Sequence, residues 1–158
     1  MPIDEAQPAF TSSQPFDAQR IRAAAVYCSD GRFGEQCDDL LHNGLHLPRY
    51  DRLAVPGGAA CLAGHFAAYR EGETVITQLR FLVEVHRLER VILIAHENCA
   101  FYGERLSVRP LQLEWQQKED MKAAIRRVRS LSERLAISVY FARIHGDRIQ
   151  FEALEFGR

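Results

Sequence analysis

The chain has no run of about eighteen apolar residues, the length needed to cross a bilayer, so no membrane span is expected. Its opening stretch, MPIDEAQPAFTSSQPFDAQ, has neither a cationic start nor an apolar segment, so no secretory signal is expected there. Neither sign of charge is in excess: 20 Lys and Arg stand against 21 Asp and Glu, a net charge of −1. That balance removes the electrostatic reason to expect nucleic acid or an anionic membrane as partner. No internal repeat, low-complexity block or C-x-x-C pair is present, and no arginine follows Cys28 at phosphatase-loop spacing. These last absences count against a thiol enzyme with Cys28 as its nucleophile. Cysteine itself is scarce, with four in the chain. Without an export signal they are expected in a reducing cytoplasm, where metal binding or catalysis is the usual role rather than a disulfide.

What is present is the composition of an ordinary globular domain, 158 residues with 47% hydrophobic and 26% charged. A chain of this size buries roughly 68–70% of the surface its unfolded form exposes. Residues 1–18 read as an N-terminal arm, because Pro2, Pro8, Pro15 and the Thr-Ser-Ser stretch resist regular structure. Residues 19–158 read as one α/β domain. RAAAVYC and DRLAVPGG are strand candidates, and FGEQCDDLLHN is a short helix that Gly44 is placed to end. Between residues 73 and 88, Val75, Ile76, Leu79, Leu82, Val83 and His86 share one helical face. Phe81, Val85 and Leu88 widen that face, which predicts a helix covered on two sides.

RVILIAH is continuous and unalternating, as in a central parallel strand buried on both faces. A long helix is expected over roughly 111–134, with Met121, Ile125, Val128, Leu131 and Leu135 on its inner side. Its Arg126, Arg127 and Arg129 read as a solvated face. AISVYFARI, HGD and RIQFEAL predict a closing hairpin. The fold class is therefore α/β: a mainly parallel sheet of about four strands flanked by helices, with a C-terminal antiparallel edge strand. In such sheets ligands gather beyond the carboxyl ends of the strands, where the strand order switches.

Two strand ends are chemically loaded. CSDGR places Cys28, Asp30 and Arg32 at alternate positions, so that an extended chain would project all three to one side. HENC places His96 and Cys99 three apart, close enough for one helical turn to bring them together. Taken singly, each has an ordinary reading: a buried thiol, a core histidine, a structural ion pair. Together, two thiolates and an imidazole make a borderline-soft donor set suited to Zn2+, and three protein ligands leave a fourth position open. Asp30 could fill that position, or stand beside it while Arg32 grips it bidentately. Cys37 and Cys61 read as buried free thiols. The other five histidines have no partner at ligand spacing. Phe66, Tyr69, Phe101 and Tyr102 read as core or pocket lining, with the last two nearer the site.

These motifs resemble those of the β-class carbonic anhydrases, which carry C-x-D-x-R after the first strand and H-x-x-C after the third. The resemblance spans residues 19–155 in element order. It implies zinc ligands at Cys28, His96 and Cys99, and a catalytic dyad of Asp30 and Arg32. It further implies substrate contacts from the Ala100 amide and from Gln19, and a homodimer or homotetramer. The implied reaction is reversible hydration of CO2 to bicarbonate and a proton by zinc-bound hydroxide. Its alternatives are hydrolysis of COS or CS2 at the same metal, or a non-catalytic zinc-binding homologue. The chain departs from the family in having Gly31 for Ser, Ala95 and Ala100 for Gly, and RLAVPGGAA where RNAG is common. The metal motif is intact, and the pocket around it is remodelled.

Overall fold

Alternation of apolar runs with amphipathic ones is what builds the sheet, in a computed structural model that describes residues 7–157. Pro2 and the rest of residues 1–6, the first part of the expected arm, lie outside the described residues. Residues 7–22 form neither helix nor strand. Arg49 ties the end of this segment down by donating to the carbonyls of Asp17 (3.0 Å) and Gln19 (2.6 Å).

Five strands follow: β1 (Ala23–Cys28), β2 (Asp51–Val55), β3 (Arg90–His96), β4 (Ala136–His145) and β5 (Arg148–Ala153). Their order is β2-β1-β3-β4-β5. The first four run parallel, and β5 returns antiparallel to β4 through the Gly146-Asp147 turn. The chain winds outward from β1 to β2, then crosses back to place β3 on the other side of β1. The switch point thus lies between β1 and β3, at their carboxyl ends.

Alternate residues of these strands feed two cores. Ala24, Val26, Val91, Leu93, Val139 and Phe141 face α2 (Tyr69–Val85) and α4 (Leu113–Arg129). Ala25, Tyr27, Ile92 and Ile94 face α1 (Gly31–Asp39), where Phe33 and Cys37 pack, and Leu41 in the π-helical turn that continues it. Both faces of β1 and β3 are covered, which is why their sequences do not alternate.

Two helices differ from expectation. The second helix starts at Tyr69, earlier than its apolar pattern shows. Gly72 hides the extra turn: it packs so close to the Cys61 carbonyl that a Cβ would lie 2.5 Å from that oxygen. The fourth helix ends at Arg129 although Leu131 and Leu135 continue its apolar spacing into the core. The Ser130 hydroxyl turns back to the Arg127 carbonyl at 2.6 Å, a local bond that competes with further helix. The outer face of α2 is covered on only one side within the chain, since Phe81 and Val85 stay exposed.

Leu93, fully buried in the centre of β3, carries the packing between sheet and helices. Leu93→Ala is expected to lower unfolding free energy by about 2–5 kcal/mol, read as a shifted midpoint in urea denaturation.

Candidate metal centre

Strand ends do the positioning. Cys28 is the last residue of β1 and His96 the last of β3. Cys99 follows a tight turn in which Asn98 takes a left-handed φ of 53°. The expected helical turn does not join His96 to Cys99. Cys99 instead precedes a short helix, α3 (Ala100–Glu104), because the chain must reverse direction at Asn98 before it can coil. The outcome is the same convergence: one ligand atom from each of Cys28, His96 and Cys99 lies within 4.8 Å of the other two. The two sulfurs are 3.9 Å apart.

The donor chemistry fits a metal ion. His96 Nδ1 donates to the Glu97 carbonyl at 2.7 Å, which leaves Nε2 as the lone-pair nitrogen. That Nε2 is buried and has no hydrogen-bond partner among the described residues. A buried polar atom left unpaired costs about 1–3 kcal/mol, and a cation would relieve it. The Cys28 thiol is drawn well below its ordinary range, chiefly because the Cys99 thiol donates to it, with further help from the Asp30 and Gly57 amides. Cys99 is pushed up as that donor. The pair thus shares a proton that a bound cation would displace. Two further thiols stay apart from the group: burial pushes Cys37 up to about 12 and Cys61 up to about 11.

Beyond Cys28 the chain remains extended only to Asp30, which caps α1. Arg32 lies in the first helical turn rather than in the extended chain the alternation suggests. It still reaches Asp30, because an N-cap side chain faces the first turn. The Arg32 amide donates to Asp30 Oδ1 at 3.0 Å, Nε to both oxygens at 3.0 and 3.2 Å, and Nη2 to Oδ2 at 2.6 Å. The carboxyl is held down at about 2, mainly by the Arg32 side chain. Asp30 therefore sits on Arg32, outside the three-donor group.

The surroundings are assembled from both cores. The Phe33 ring lies 4.2 Å from the His96 ring. A cleft of about 280 Å³ opens beside Arg32, bounded by Phe33, Glu97, Asn98, Ile144 and Arg148. Ala100 is exposed at the start of α3. Gln19 precedes β1, at the opposite end of that strand from Cys28. The role of the Pro-Gly-Gly turn was missing from the sequence reading. Gly58, at φ 52°, passes so close to β1 that a Cβ would lie 2.7 Å from the Cys28 nitrogen. Two adjacent glycines straight after a strand were the available signal.

An α/β sheet with a Cys-His-Cys group at its switch point belongs to a class of domain able to hold a catalytic metal ion. The particular family follows from comparison. A family model described as "Putative carbonic anhydrase" matches residues 18–152, and the chain belongs to that family. Its fold is shared with the β-carbonic anhydrase isoform I, TvaCA1, of Trichomonas vaginalis (12% identity, TM-score 0.56, covering 89% of this chain and 87% of that one). The β-carbonic anhydrase CafA of Aspergillus fumigatus matches at 16% identity and TM-score 0.42, covering 85% of this chain and 76% of that one. No curated protein matches the chain.

Cys28→Ala is expected to lose stoichiometric Zn2+ after dialysis, measured as metal per chain. Full occupancy would overturn the ligand assignment. Gly58→Ala is expected to cost about 1–3 kcal/mol in stability through its left-handed backbone. It should also weaken Zn2+ binding in a chelator competition, because its Cβ displaces the end of β1.

Proposed function

We propose that the chain catalyses the reversible hydration of CO2 to bicarbonate and a proton at a Zn2+ ion held by Cys28, His96 and Cys99. The observation that carries this reading is the bare, buried His96 Nε2 converging with two sulfurs beside an arginine-held carboxylate. Zinc with three protein ligands keeps an open position and supplies a water-derived nucleophile near neutral pH.

The chain's own residues do the remainder. Arg32 holds Asp30 ionised and off the metal. The Asp30 carboxylate is then free to accept a hydrogen bond from the attacking water and orient it. The exposed Ala100 amide, at the start of α3, donates to an oxygen of the nascent bicarbonate. Phe33 shields the imidazole from solvent. Within one chain Gln19 takes no part. A closed, non-catalytic zinc site would need a fourth protein ligand, and neither Cys37 nor Cys61 belongs to the donor group. COS or CS2 hydrolysis would use the same residues, and an assay of sulfide release separates it from CO2 hydration.

The same reading makes the protein a cytoplasmic homodimer or homotetramer. Its support is the large apolar surface a single chain leaves open: Phe66 and Leu111 are 96% and 101% exposed, with Tyr69 and Trp115 beside them in sequence. The His65–Asp120 hydrogen bond of 2.7 Å ties those two segments together.

Stopped-flow CO2 hydration by Zn2+-replete protein tests the proposal. Asp30→Asn should lower the rate by about 10²-fold or more, in line with loss of a positioned proton acceptor. An unchanged rate would remove Asp30 from the mechanism. The folded-state pKa of Asp30 lies below its unfolded value, so its contribution to stability is complete above about pH 5. That contribution is lost as pH falls toward about 2. Asp30 is thus ionised throughout the neutral range. A rate rising from about pH 7 to about pH 9 must report ionisation at the metal centre. Sedimentation at micromolar concentration should show a dimer or larger, shifted toward monomer by Phe66→Ser with Leu111→Ser.

A further inference from the structure

We infer that Gln117 is a positioning residue for His96: its buried amide fixes the peptide that sets the tautomer and direction of the imidazole. The consequence for metal binding rests on the zinc reading above, whereas the geometry does not.

Gln117 lies on the inner face of α4 and is 1% exposed. Only His96 and Asp120 accompany it among the buried polar or charged residues described. Apart from Asp120, which is bonded to His65 and Gln116, the other buried residues of α4 are apolar, with Met121, Ala124 and Val128 packed into the core. An aliphatic side chain would continue the pattern without polar atoms to satisfy. The glutamine instead buries an Oε1 that has no partner among the described residues, a penalty no hydrocarbon would carry.

What the amide does is donate from Nε2 to the His96 carbonyl at 2.8 Å. The other side of the same peptide, the Glu97 amide, donates to the Ala142 carbonyl at 3.0 Å. That peptide plane is therefore held from α4 and from β4 at once. The next peptide carries the Glu97 carbonyl, which accepts from His96 Nδ1. Fixing the first plane fixes where the second begins, at the turn that forces Asn98 to positive φ. The Glu97 carbonyl then keeps the proton on Nδ1 and the Nε2 lone pair bare toward the sulfurs. Among the described residues Gln117 makes no hydrogen bond to the sulfurs or the imidazole, and acts through the His96 backbone. Loss of outer partners of this kind changes metal affinity by about 10–100-fold.

The test compares wild type with Gln117→Met, which keeps length but removes the donor, and Gln117→Glu, which offers the carbonyl only acceptors when ionised. Three quantities are read: the melting temperature of the metal-free protein, the His96 tautomer in that protein by ¹⁵N NMR, and Zn2+ affinity by chelator competition. The absorption spectrum of Co2+-loaded protein reports ligand geometry alongside. Gln117→Met should melt close to wild type, lose the defined Nδ1–H signature, and bind Zn2+ about 10–100-fold more weakly with a changed Co2+ spectrum. Gln117→Glu should show the same losses at a pH where its carboxyl is ionised and regain the tautomer where it is protonated, because its O–H then replaces the lost donor.

The inference is overturned if folded variants keep both the tautomer and the affinity, or if affinity falls only in step with melting temperature. Should wild type bind no Zn2+, the metal reading fails on its own. The tautomer measurement on the metal-free chain then still decides the role of Gln117.

Discussion

Residues Ala23–Val26 of β1 pair in parallel register with Arg90–Leu93 of β3, and this pairing is the constraint from which the rest of the centre follows. It brings together Cys28 and Cys99, 71 residues apart in sequence, to within 3.9 Å. A parallel pair can be made only by a crossover connection, here β2 and α2, and that crossover covers one face of the sheet. The same topology leaves the carboxyl ends of β1 and β3 facing an opening, because helices leave the sheet in different directions on either side of the switch point. Cys28 and His96 are held by the strands they end, and Cys99 by the tight turn at Asn98 that follows β3.

The arrangement is kept at a local cost that the sheet absorbs. Asn98 takes a left-handed backbone, Gly58 passes against Cys28 where no Cβ fits, and His96 Nε2 and Gln117 Oε1 are buried without partners. Each feature is unfavourable alone, and all lie at or beside the two strand ends. Away from that end the interior is conventional. Val75, Leu79, Met121 and Val128 meet Val26, Val91 and Leu93 on one face, and Phe33, Cys37 and Leu41 meet Ala25 and Ile92 on the other. Stability is stored in the hydrocarbon layers and spent at the switch point, the usual placement of strain in a functional domain.

Charge follows the same division. Arg32 engages both oxygens of Asp30, which keeps the carboxylate ionised. On the far side of His96, Arg143 gathers Glu97, Glu114 and Glu152, and binds the turn after β3 to α4 and β5. The Asp30–Arg32 pair and the Arg143 cluster are thus separate ion-pair groups, the second tying neighbouring elements together.

Much of this was legible in the residues themselves. VILIA within β3 and AAAVYC are apolar at every position, as a strand covered on both faces requires, so the parallel sheet could be read directly. CSDGR and HENC named the donors and the Asp30–Arg32 pair, because soft ligands and a bidentate ion pair are rare enough in combination to carry meaning. The closing hairpin was visible in its His-Gly-Asp turn. What the sequence could not disclose depends on through-space contact. Gly72 concealed the first turn of α2, since a glycine that lets a helix approach a carbonyl looks like a helix breaker. Gln117 looked like one more polar residue in a charged helix until folding placed it 2.8 Å from the His96 carbonyl. Gln19 stood at a plausible spacing from Cys28, but a strand between them turns sequence proximity into distance. Local pattern determines which residues can bind a metal and which faces must be buried. The packing of α4 against β3 alone decided how the imidazole is held, because that contact joins segments with no common periodicity.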